Sequence, residues 1–230
     1  DPLFGFFVFG AIAALWVACE ERRPALIALA VASLTCAFMS KAFTAYIFYA
    51  VAAFVMFMHA PYRRALMQPP SIALHVAAVV APLAWLSCLP KNAGQGARMF
   101  NEIVAKLAPD SVLDYLGHLA WFPLETSLRL MPALGLAAYI AWTQRADLSG
   151  DHRQSLRIAG WIAFINYLPY WLSPHGNIRY LMPLYPVIAL VLAFVLWGAW
   201  QRSAGLILRW LAAAVVVKFI AAVLFFPYSQ

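Results

Sequence analysis

Long apolar runs alternate with short polar clusters along this chain of 230 residues. Eight runs stand out, at about 2–19, 24–40, 42–60, 71–89, 117–143, 158–173, 181–201 and 204–226. Each comes near the roughly 20 residues that a helix needs to cross a bilayer. The pattern predicts an all-α fold, a polytopic transmembrane helix bundle of about eight spans, in one domain over 1–230. The run at 158–173 is short and holds Asn166 and Pro169, which predicts a broken or tilted helix. Only Ser40 and Lys41 part the second run from the third, so the helix boundary there stays open. In the long loop 90–116, Met99, Phe100, Ile103, Val104 and Leu107 recur at helical spacing. They predict a short amphipathic interfacial helix, either closing the loop or covering a cavity. Ser111 and Asp114 resemble a capping box before the fifth run.

Charge gives the bundle two ends. Arg22, Arg23, Arg63, Arg64, Arg145, Arg153, Arg157 and Arg202 fall in one set of loops. Lys41, the mixed-charge loop 90–116 and the segment 174–180 fall in the other. The arginine-rich set is cytoplasmic by the positive-inside rule. Asp1, Lys41, Arg179 and the C-terminal FPYSQ then share the outer face.

Composition agrees with this reading. The chain is 65% hydrophobic and 11% charged, against roughly 25% charged in a soluble domain. The net charge of +7 does not point to nucleic acid, because the basic residues sit between apolar runs where topology places them. Cys19, Cys36 and Cys88 have no metal-ligand spacing and are expected to be small core residues.

The candidate chemistry centres on SPHGNIRYLMPLYP, residues 173–186. Arg179 stands where a membrane helix should begin, and a guanidinium cannot shed its charge. It is either a helix-end arginine bonded to carbonyls or lipid phosphate, or the grip on a charged ligand. Tyr180 and Pro183 hold its segment, and His175 lies four residues earlier. Lys41 is either a snorkelling lysine or a phosphate contact. If both cations bind one diphosphate or phosphodiester, their charged groups should converge. Three roles are open to Asp1: general base, ligand of a divalent metal, or solvated flank residue. His118 and Glu125, seven residues apart, share a face of any continuous helix, although Pro123 lies between them. With Arg129 they could form a polar cluster, or Glu125 and Arg129 a plain i,i+4 ion pair. His59, His75 and His152 read as structural. Lys218 lies inside the last run with no partner legible in sequence. No metal motif and no Gly-rich phosphate loop occurs.

Three stretches also carry a family resemblance. DPLFGFFVFGAIAALW, SLTCAFMSKAF and YWLSPHGNIRYLMPLYPVIAL occur in that order from one end of the chain to the other. They resemble, in turn, an acidic start at the outer membrane face, an apolar-Leu-x-Lys-Gly segment and an Arg-Tyr-x-x-Pro-x-x-Pro stretch. These belong to the C-type glycosyltransferase superfamily, in the branch of protein O-mannosyltransferases and the aminoarabinose transferase of lipid A. Ala42 stands where the family often has Gly. The resemblance implies a transferase that moves a sugar from a polyprenyl-phosphate carrier to a protein, lipid or glycan acceptor. It implies that Lys41 and Arg179 contact the carrier phosphate and that Asp1 matches the family's second acidic position. The family's main catalytic carboxylate precedes the stretch that begins at Asp1, so the chain is expected to be the C-terminal part of a longer enzyme. The implied setting is the bacterial inner membrane, with the active face outside the cytoplasm and membrane lipid as a partner. Two other classes stay open: a transporter or flippase of anionic lipids, which would need paired mid-membrane polar residues, and a non-catalytic scaffold subunit.

Overall fold

The computed structural model describes residues 2–41, 43–88, 111–144 and 150–225. Among these residues all regular structure is helical. The order is α1 (Pro2–Glu21), α2 (Pro24–Lys41), α3 (Thr44–Phe57), α4 (Ala60–Leu66), α5 (Pro69–Cys88), α6 (Val112–Leu130), α7 (Ala133–Gln144), α8 (Gly150–Leu172), a 3-10 helix η1 (Ile178–Leu184), α9 (Tyr185–Gly198) and α10 (Trp200–Phe225). Among the described residues, four stretches are long and apolar enough to cross a membrane: α1, α2, η1 running into α9, and α10. The pair α4 and α5, bent by 71°, makes a fifth if taken as one broken span. Helices α3 and α7 are apolar but shorter.

Small residues let the N-terminal helices close on one another. Ala11, Ala30, Ala37, Ala45 and Ala52 are wholly buried. Alanine at a helix interface allows the backbones to approach and gain dispersion contacts along their length. Larger side chains fill the remaining space, with Phe4, Leu15, Leu34, Phe48 and Met56 in the main core. Leu181, Leu184 and Val187 join that core from η1 and α9. A smaller core of Leu136, Ile140, Ala199 and Ile207 ties α7 to α9 and α10.

Two mid-helix prolines are accommodated by the same device. A proline has no N–H, so the carbonyl four residues earlier loses its helical donor. Pro82 frees the carbonyl of Ala78, and the Tyr46 hydroxyl donates to it at 2.7 Å. Pro123 frees the carbonyl of Leu119, and the Trp171 indole N–H donates to it at 2.8 Å. Both helices therefore run through their proline with the freed acceptor satisfied.

The structure amends several sequence expectations. The run 117–143 is two helices, because α6 stops at Leu130. Met131 sits at φ −66°, ψ 148°, the extended region that a residue before proline prefers. The run 42–60 ends as a span at Phe57, and the short α4 turns the chain before α5. Helix α8 is continuous rather than broken, and it begins at Gly150 rather than near 158. Asn166 is absorbed within it, its amide donating to the Ile162 carbonyl at 3.0 Å. Ser111 does hold the N-cap position of α6, but its side chain makes no capping bond. Of the three cysteines only Cys19 is buried; Cys36 and Cys88 are exposed on their helices. The amphipathic stretch 99–107 and Asp1 lie outside the described residues.

The two ends of the bundle are distinct. At one end the Lys41 ammonium lies over the rings of Phe4 and Tyr180, so the start of α1, the end of α2 and η1 meet. The start of α6 joins them, since the Tyr115 hydroxyl donates to the Leu172 carbonyl at the end of α8. At the other end Trp16 and Tyr62 both donate to Glu20, beside the Arg22 and Arg23 turn.

Candidate functional site

A loop and a helix face each other at the Lys41 end. The loop begins with a tight turn in which Gly176 N–H donates to the Ser173 carbonyl at 2.9 Å. A Cβ on Gly176 would lie 2.0 Å from the Tyr170 carbonyl oxygen. Only glycine fits there, because the obstacle is backbone. Asn177 follows as the N-cap of η1, its side-chain oxygen accepting from the Arg179 N–H at 2.9 Å. The cap fixes where η1 starts. One side of η1 then buries Ile178, Leu181 and Leu184, while Arg179 and Tyr180 stay exposed.

The facing helix is α6. Because Pro123 does not break it, His118, Phe122, Glu125 and Arg129 form one stripe. This stripe and residues 176–179 line an open cavity of about 370 Å³ whose walls are mainly polar. Its volume lies at the low end of the roughly 300–1,000 Å³ usual for small-molecule sites. The other sizeable hollows, such as those between α3 and α5 and between α1 and α9, are walled by apolar side chains.

The charges inside are unbalanced. Arg129 donates to a single oxygen of Glu125, Nη2 at 2.7 Å and Nε at 3.1 Å. Arg179 lines the same cavity, and its guanidinium has no partner among the described residues. Two arginines and a single carboxylate therefore line the cavity. His118 Nε2 is buried and unpaired among the described residues, with the ring packed on Phe122 at 5.1 Å. The Tyr185 hydroxyl, at the start of α9, is likewise buried and unpaired there.

The sequence candidates thus divide. His118, Glu125 and Arg179 come together in one cavity. Tyr180 belongs to the adjoining aromatic wall, against Tyr170 at 6.3 Å, and carries Lys41 at 4.8 Å. Lys41 does not line the cavity. His175 is exposed on the turn before Gly176. The Glu125–Arg129 ion pair is formed as its spacing predicts. Asn177 was not legible as a site residue, and only its position before a helical stretch hinted at its role. Lys218 gains a partner in the Arg129 carbonyl at 3.4 Å, placing a cation at the C-terminal end of α6 where the helix dipole favours it. Among the described residues no three His, Cys, Asp or Glu side chains gather as a metal site would require.

Comparison of the chain with protein-family models, with curated proteins and with solved structures finds no match.

Proposed function

We propose that this chain is the membrane part of a glycosyltransferase that takes a sugar from a polyprenyl-phosphate carrier. The observation that carries the reading is the cationic cavity at one bundle end, with Arg179, unpaired among the described residues, set among apolar helices. An anionic headgroup on a long apolar tail matches both features: charge for the cavity and lipid for the helices. Arg179 holds the carrier phosphate through its forked donors, and the Lys41 ammonium rests on the ring of Tyr180, the next residue. As the sugar transfers, the cationic cavity stabilises the charge left on the phosphate, while a carboxylate takes the proton of the acceptor hydroxyl. Asp1 is the proposed carboxylate on this chain. The acceptor is a hydroxyl of a protein, lipid or glycan.

The proposed setting is a bacterial inner membrane, crossed about eight times, with the cavity and the stretch 99–107 outside the cytoplasm. A cysteine placed at 95, with the three native cysteines replaced by alanine, should label from outside, and one at 150 should not. The opposite labelling would reverse the orientation. For the activity, the full-length protein in proteoliposomes is given polyprenyl-phosphate sugar with labelled sugar. Arg179→Lys keeps the charge and loses the fork, so transfer should fall about tenfold or more at equal expression. Equal transfer by Arg179→Lys and wild type would sink the assignment.

A further inference from the structure

The cavity names a different second cation from the one that the sequence suggests. We propose that the anion is held between Arg179 and Arg129, and that Lys41 acts through Tyr180 rather than on the anion. This rests on the proposed carrier phosphate as the ligand and assigns which side chains hold it.

Arg129 lines the cavity with Arg179, and Lys41 does not. A guanidinium has five N–H donors. Glu125 engages Arg129 through Nε and Nη2 only, so three donors remain for an anion. Arg179 offers all of its side-chain donors, being unpaired among the described residues. With two arginines and one carboxylate lining it, the cavity holds an excess positive charge that a phosphate monoester or diester would neutralise. The Lys41 ammonium is otherwise engaged, 4.8 Å from the centre of the Tyr180 ring and 5.6 Å from that of Phe4. Such contacts favour the cation where it is. Tyr180 follows Arg179 directly, so Lys41 steadies the segment that presents Arg179. Glu125 holds two of Arg129's donors with one carboxylate oxygen and so competes with the anion for them.

The test uses binding, which needs no sugar transfer. The full chain in detergent is titrated with farnesyl phosphate, a short polyprenyl monophosphate, beside farnesol and inorganic phosphate. Arg129→Gln and Arg179→Gln should each weaken farnesyl phosphate binding by about tenfold or more. Lys41→Met should weaken it by no more than about threefold, the size of an indirect effect. Arg129→Lys, which keeps charge without the fork, should fall between wild type and Arg129→Gln, with an unchanged elution profile showing that the fold persists. A Lys41→Met loss as large as that of Arg129→Gln would overturn the proposal, as would unchanged binding in Arg129→Gln. Farnesol binding as tightly as its phosphate would also overturn it. Inorganic phosphate displacing the probe at equal concentration would overturn the lipid source of the anion. Intact, Arg129-dependent binding without any transfer would leave this grip standing and sink the glycosyltransferase reading alone.

Discussion

Helices α5 and α6 each carry a proline near mid-length, and each keeps its course because an aromatic donor from another helix meets the freed carbonyl. The backbone solution is the same, yet the two helices differ in what they bear. Around Pro82, α5 is apolar, with Val79, Val80, Leu83 and Trp85 exposed on its surface. Around Pro123, α6 carries His118, Glu125 and Arg129 along one stripe. In α5 the repaired proline maintains packing alone. In α6 it also maintains the register of a charged face against the loop 176–179. One local device thus serves stability in one region and site geometry in the other, and substitutions can separate the two.

The largest effect is expected from Gly176→Ala. The new methyl cannot coexist with the Tyr170 carbonyl at 2.0 Å, so the turn must move and carry Asn177 and Arg179 with it. Farnesyl phosphate binding should fall by about tenfold or more, as expected when charged hydrogen bonds are lost. The α1–α3 core should keep its helix content by circular dichroism. Binding equal to wild type would show that the α6 face alone makes the site.

Removing the two aromatic donors comes next. Tyr46→Phe and Trp171→Phe should each cost about 1–3 kcal/mol, the range for a buried acceptor left unsatisfied. Thermal unfolding in detergent measures this. Only Trp171→Phe should also weaken farnesyl phosphate binding, because only α6 bears the charged stripe. If Tyr46→Phe weakened binding equally, the contrast between the helices would fail.

The same contrast explains what the sequence could show. Apolar runs and arginine clusters made the helical architecture and its two ends legible, since both follow from burial and charge. The seven-residue spacing of His118 and Glu125 placed them on one face, and the continuous α6 keeps them there. What stayed hidden depends on partners distant in sequence. Pro123 read as a threat because Trp171, its remedy, lies 52 positions beyond Leu119. Met131 and Pro132 sit within an apolar run, so hydropathy saw one crossing where the backbone makes two helices. Helix α8 extends to Gly150 because polar residues such as His152 and Gln154 end an apolar run without ending a helix. Lys41 kept two readings because neither Phe4 nor Tyr180 is its neighbour in the chain. Cys36 and Cys88 were placed by residue type, which does not say which side of a helix faces inward.

Asn177 separates cap from charge on the loop side. Asn177→Ala removes the acceptor for the Arg179 N–H and should cost about 0.5–2 kcal/mol, the usual price of losing an N-cap. Asn177→Asp keeps the acceptor and should restore stability. It also adds a negative charge to the cavity, so farnesyl phosphate binding should remain weaker than wild type. Aspartate restoring both would mean that the anion does not sense charge at this corner.

The smallest stability effect belongs to Glu125→Gln. The pair with Arg129 is partly exposed, at 53% for Arg129 and 31% for Glu125, and such i,i+4 pairs contribute only about 0.2–0.5 kcal/mol. The unfolding temperature should therefore hardly move. Binding should move more, and in the opposite sense to the losses expected above. The amide removes the negative charge in the cavity and releases the Arg129 donors that Glu125 occupies. Farnesyl phosphate should bind more tightly, with the gain shrinking as salt screens the charges. A weaker complex would mean that Glu125 is needed to aim Arg129 more than it competes with the anion. An unchanged one would mean that the α6 stripe does not reach the ligand, which would leave α6, like α5, a packing element.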